Sequence, residues 1–125
     1  MANPNIVNVA AIYGENSSTS LTTTGATSIV SNAASSGKVY KINSIIVANV
    51  DGASAADITV SVYNQAALGG TAFPLASTVS VPADASLIVT DKTTAIYLEE
   101  GTSITVTSGT SSGITYSISY EEISA

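Results

Sequence analysis

The sequence contains no cysteine, histidine, arginine or tryptophan, and its only basic residues are Lys38, Lys41 and Lys92. Without cysteine, neither disulfides nor thiolate metal sites can hold the fold together, so stability has to come from packing. Without histidine or cysteine, nucleophilic catalysis is reduced to a Ser/Lys or carboxylate arrangement. Without arginine, and with nine acidic residues giving a net charge of −6, clustered-cation recognition of phosphate is not expected. Nucleic acid and anionic membranes are therefore poor partners, and no apolar run approaches the ~20 residues that span a bilayer. Charge of either sign is scarce, at 10% of residues against about 25% in ordinary domains.

Hydroxyls take the place of ions, with 20 Ser and 16 Thr among 125 residues. Thr, Val, Ile and Tyr fit a pleated, half-buried sheet, whereas the helix formers Glu, Lys and Gln are few. No stretch keeps apolar residues at helical spacing over three turns without Gly or a Ser/Thr cluster intervening. The length suits a single domain over 1–125, with 1–36 as an N-terminal arm and edge strands and 37–125 as the core. The chain start has neither the basic nor the apolar region of a secretory signal, which predicts synthesis in a cytoplasm.

Short alternating runs separated by Gly, Asn, Asp, Ser and Pro predict an all-β antiparallel sandwich of about eight to ten strands. They fall near residues 5–13, 20–24, 27–31, 38–50, 56–64, 76–81, 85–90, 94–99, 102–108 and 113–123. The period-two positions Ile58, Val60, Val62, Leu98, Ile104, Val106, Ile114 and Ile118 are the expected core. Asp51-Gly52 and Glu99-Glu100-Gly101 predict tight turns, and the stretch from Leu68 to Pro74 predicts a long loop. The Ser/Thr-rich stretch 15–36 fits either two weak edge strands or a loop.

Two segments carry apolar residues on both faces. In 5–13, Val7, Val9 and Tyr13 oppose Ile6 and Ile12; in 41–50, the even positions read as core, yet Ile45 and Val47 lie opposite them. Either a β-bulge switches the face, or both faces are covered by a neighbouring subunit. On the second alternative, Ile6, Val7, Val9, Ile12, Ile45 and Val47 are the candidate interface.

Candidate chemistry is sparse. Glu99-Glu100 and Glu121-Glu122 are adjacent pairs, so within a strand the two carboxylates of each pair point apart and do not face one another as hydrolytic partners must. Asp51, Asp57, Asp84 and Asp91 bracket loops, but no spaced Asp/Asn loop closes on a glutamate as a calcium site requires. Gly69-Gly70 opens no helix and so makes no phosphate cradle. Tyr13, Tyr40, Tyr63, Tyr97, Tyr116 and Tyr120 are the only candidates for a sugar-stacking platform, and Tyr116 and Tyr120 share the face of Ile114 and Ile118. No catalytic residue, metal, cofactor or small-molecule substrate is expected.

The run Tyr97-Leu98-Glu99-Glu100-Gly101-Thr102-Ser103-Ile104-Thr105-Val106, with the closing Ser119-Tyr120-Glu121-Glu122-Ile123, resembles small virion structural proteins of tailed phages, notably marine and cyanobacterial ones. Gly37-Lys38-Val39-Tyr40 leading into Ile45-Ile46-Val47-Ala48-Asn49-Val50-Asp51-Gly52 resembles the first core hairpin of the same family. The resemblance covers roughly residues 37–123. It implies a jelly roll, often homotrimeric, that acts by assembly as a capsid decoration or cement protein. Its partners would be itself and a major capsid or other virion protein, and its location the virion. A tail, neck or fibre component, or a receptor- or carbohydrate-binding module, is the alternative.

Overall fold

The computed structural model describes residues 3–66 and 69–125. Among these residues nine strands run in chain order: β1 Ala11–Ser20, β2 Thr27–Asn32, β3 Lys38–Asn49, β4 Ala56–Tyr63, β5 Ala72–Val81, β6 Ser86–Thr90, β7 Ile96–Leu98, β8 Thr102–Ser108 and β9 Ile114–Ser124. A single 3₁₀ turn, Lys92–Thr94, separates β6 from β7, and the Asp91 carboxylate caps it by accepting from the Thr93 amide. No α-helix occurs among the described residues.

The strands form two antiparallel sheets. Sheet A has the order β1-β9-β3-β6, with β7 pairing further along the same edge of β3; sheet B has the order β2-β8-β4-β5. Because β6 and β7 are two halves of one interrupted strand, the connectivity is that of an eight-stranded double Greek key, the jelly roll. Ile42, Ile45 and Val47 of β3, Ile58 and Val60 of β4, Ile104 and Val106 of β8, and Ile114 and Ile118 of β9 are fully buried between the sheets. Leu98 closes one end, and Val62, half-buried, packs against this core.

The jelly roll's alternation is interrupted by bulges. Along β3 and β9 the register passes from Ile42↔Tyr120 to Ser44↔Ser119, so Asn43 is an extra residue. One inserted residue reverses every later side chain. Tyr40 and Ile42 face the core before it; Ile45, Val47 and Asn49 do so after it, leaving Ile46 and Val50 exposed. A second bulge in β2, between Ser28 and Val30, turns consecutive Ile29 and Val30 both inward.

Two buried asparagines tie strand ends together. Asn32 is fully buried; its Nδ2 donates to the carbonyls of Lys38 (2.9 Å) and Leu98 (3.0 Å), and its Oδ1 accepts from the Ser36 hydroxyl. Asn49 repeats the arrangement at the far end of β3, donating to the carbonyls of Ser54 (2.9 Å) and Val81 (3.1 Å) and accepting from the Asp51 amide (3.0 Å). Each satisfies carbonyls where the chain passes between elements and no ladder is available.

Several expected boundaries move. The strand expected over 5–13 begins only at Ala11, because Asn5 turns the chain, accepting from the amides of Val7 (3.0 Å) and Asn8 (3.1 Å). The strand expected over 20–24 is absent; Leu21, buried, anchors a crossing from sheet A to sheet B. The long loop is shorter than expected, since β5 starts at Ala72 and holds Pro74 on an outer edge where no ladder donor is needed. Leu68, named as that loop's start, lies outside the described residues.

Candidate interaction surface

The six residues singled out as an interface do not share one surface. Ile45 and Val47 are fully buried between the sheets, and the reason is the Asn43 bulge: the face that alternation assigned to a neighbour is the protein's own core. These two are withdrawn as contact residues. Ile6, Val7 and Ile12 are exposed, at 52%, 91% and 54%, and Val9 is half-buried.

Ile6 and Ile12 lie at one end of sheet A's outer face, and Val7 is exposed beside Ile6 in the Asn5 turn. Ile12 pairs with Ile123, and Ile123 with Val39 on the next strand, so the three form a cross-strand row. Val39 and Ile123 are buried although neither belongs to the inter-sheet core. The segment 3–10 accounts for this: it leaves β1 where the Ala10 amide donates to the Ser124 carbonyl (3.0 Å), then crosses this end of the sheet. Pro4 is buried there, and Asn3, Pro4 and Ile6 line a shallow groove of about 260 Å³ together with Val39, Tyr97 and Glu99. The result is an apolar patch of Ile6, Ile12 and the half-exposed Tyr97, with Val7 exposed in the adjoining Asn5 turn. Tyr97 was not linked to these residues by any sequence pattern, since β7 reaches the patch only by pairing with β3.

Elsewhere on sheet A's outer face, hydroxyls line β1 and β9, Lys41 lies opposite Glu121, and Ile46 and Ile88 form an exposed apolar cross-strand pair. Ser18 donates to the Ser117 hydroxyl (2.9 Å), and Ser117 to Asn16 Oδ1 (3.2 Å). On the opposite face, beyond the core, Tyr40 stacks on Tyr120 with centroids 5.4 Å apart. Burial, then a hydrogen bond from its hydroxyl to Glu15, pushes the Tyr120 phenol up to about 12. Burial likewise raises Tyr40, with the Glu122 charge adding to it. Lys38 is raised by its hydrogen bond and ion pair with Glu122. With their titrations displaced upward, both phenols stay protonated and Lys38 stays charged at neutral pH.

The remaining candidates stay dispersed. Among the described residues no three His, Cys, Asp or Glu side chains converge to hold a metal ion. Sheet B carries a second concavity of about 340 Å³, lined by Thr24, Asp57, Thr59, Thr78, Thr107, Ser108 and Gly109, with no aromatic ring in it.

No family model and no curated protein matches the chain. Solved structures do. A chain from Bacillus endospore appendages, described as a novel family of disulfide-linked pili, superposes with a TM-score of 0.53 at 16% identity, over 92% of this chain and 87% of that one. A chain of the T13 IBDV viral particle superposes with a TM-score of 0.52 at 9% identity, over 91% of this chain but only 31% of that one. At these identities the likeness is one of fold. The two structures are of multi-subunit assemblies, a pilus and a viral particle.

Proposed function

We propose that this protein is a structural subunit of an assembled particle and, more specifically, a non-enzymatic capsid decoration or cement protein of a tailed phage. The observation that carries the reading is the patch of Ile6, Ile12 and Tyr97, with Val7 91% exposed in the adjoining turn, because contiguous exposed apolar groups mark interaction surfaces more often than neutral ones. The low charge density supports it, since a rim of Ser, Thr and Asn approaches another protein without desolvating ions. The fold it shares with subunits of a pilus and a virus particle supports it as well. Homotrimers, which the phage resemblance implies, are part of the same reading.

The test pairs capsid binding and sedimentation of the wild type with those of a Val7→Asp, Ile12→Asp variant. Both positions are exposed, so the variant is expected to fold normally and to lose capsid binding. A variant that binds capsids as the wild type does overturns the reading. A second reading, a receptor- or carbohydrate-binding tail or fibre component, draws on the hydroxyl-lined concavity of sheet B. Binding on a glycan array, abolished by Asp57→Ala, would favour it over decoration.

A further inference from the structure

Of the four sheet edges, three are blunted and one is not. In sheet B, β2 has six residues and a bulge, and β5 carries Pro74, two register shifts and a left-handed Thr78 (φ 49°). In sheet A, the outer edge beside β3 is split between β6 and β7 by the 3₁₀ turn. By contrast β1 pairs with β9 over Ala11–Ser20 without a single register shift, contains no proline, and bears one charge, Glu15. Natural monomers protect such edges with prolines, bulges, charges or short strands, because an unpaired row of amides and carbonyls templates another strand.

The hydrogen-bonding parity shows which groups are free. Leu21, one step beyond β1 in register, donates its amide to Ile114 of β9 (2.8 Å). In an antiparallel ladder alternate residues share that direction. The odd residues of β1 therefore bond β9, and Ile12, Gly14, Asn16, Ser18 and Ser20 aim their amides and carbonyls outward. The segment 3–10 does not cover them, since it departs across the β9 side of the strand.

We infer that the free edge of β1 is an interaction surface for the β1 strand of a second copy of this chain, paired antiparallel about a two-fold axis at Asn16. Self-complementarity selects both the partner and the register. For the two sheets to continue with matching faces, residues of equal parity must lie opposite one another. Centring the axis on Glu15 sets two carboxylates face to face at the closest cross-strand spacing, which is repulsive. Centring it on Ser17 shortens the overlap. Centring it on Asn16 puts Ile12 opposite Ser20, Tyr13 opposite Thr19, Gly14 opposite Ser18 and Glu15 opposite Ser17. The outward pairs then exchange about ten main-chain hydrogen bonds, and the contact is closed and isologous. It goes beyond the proposed function, because it joins copies of the chain whatever particle they coat. A two-fold contact of this kind can equally link monomers or neighbouring trimers.

The absence of cysteine permits a clean test on the full chain. Hydrogen-bonded cross-strand pairs hold their Cα atoms about 5.5 Å apart, within disulfide reach. Asn16→Cys is expected to form a disulfide-linked dimer under mild oxidation, while Ser20→Cys, several residues from its own copy, is not. Gly14→Pro removes an outward amide that has no partner among the described residues, and is expected to halve the wild-type mass in sedimentation, to the 12.5 kDa monomer or to the trimer, with an unchanged circular dichroism spectrum. Equal cross-linking by Asn16→Cys and Ser20→Cys, a wild type that is monomeric at millimolar concentration, or a folded Gly14→Pro variant that associates like the wild type would each overturn the inference. Failure of the Val7→Asp, Ile12→Asp variant to affect capsid binding leaves this contact standing, so the two readings fail separately.

Discussion

Replacing Asn32 with leucine isolates the contribution of one buried polar pin. The two side chains have similar shape, so the substitution opens no large cavity in a site that is fully buried. What it removes are the two Nδ2 donors to the Lys38 and Leu98 carbonyls and the acceptor for the Ser36 hydroxyl. The Leu98 carbonyl is the more costly loss, because its bond with Asn32 is buried, whereas that of Lys38 is partly buried and water can replace it. Leaving one buried carbonyl unsatisfied costs about 1–3 kcal/mol, with a smaller amount for the second, so a total of about 2–4 kcal/mol is expected. For a domain of this size that lowers Tm by roughly 10 °C. Urea unfolding followed by circular dichroism reads the difference directly, with Asn8→Leu, at an exposed position, as the control. A loss below about 0.5 kcal/mol for Asn32→Leu would refute the view that these bonds hold the ends of β2, β3 and β7 together.

The Asn43 bulge predicts opposite outcomes for two valines that alternation alone treats alike. Val47→Asp, which buries an unpaired carboxylate, is expected to unfold the protein or cost more than about 3 kcal/mol, while Val7→Asp changes stability by less than about 0.5 kcal/mol; chemical denaturation of both variants checks this. Alkaline pH is expected to destabilise the fold through Tyr120. A phenol raised from about 10 to about 12 contributes its full stabilisation below pH 10 and loses it as pH rises through 12. Solvent screening at this half-exposed site limits that contribution to about 1 kcal/mol. Denaturation midpoints of the wild type and Tyr120→Phe, compared from pH 8 to 12, should converge at the alkaline end; a constant difference would rule out the mechanism.

Local chemistry alone determined a good part of this protein. The period-two runs 57–63, 103–107 and 114–120 became β4, β8 and β9 with their apolar members inward, because strand geometry sends alternate side chains to opposite faces wherever no residue is inserted. Gly101, at φ 73°, made the turn expected of it, and the scarcity of helix formers left only one 3₁₀ turn among the described residues. The lack of tryptophan and arginine is a matter of composition alone.

What only the tertiary structure decided begins where strands distant in sequence set one another's register. Asn43 carries no local mark of a bulge; it becomes one because β9 offers one residue where β3 presents two, and that alone moved Ile45 and Val47 from a supposed interface into the core. The turn at Asn5 withheld 5–10 from the strand that its apolar pattern favours, and pairing of β7 with β3 carried Tyr97 to the patch that this segment forms. The open edge of β1 is likewise a property of sheet order. A strand's sequence sets which face is apolar, but whether its second edge meets another strand depends on where the rest of the chain has gone.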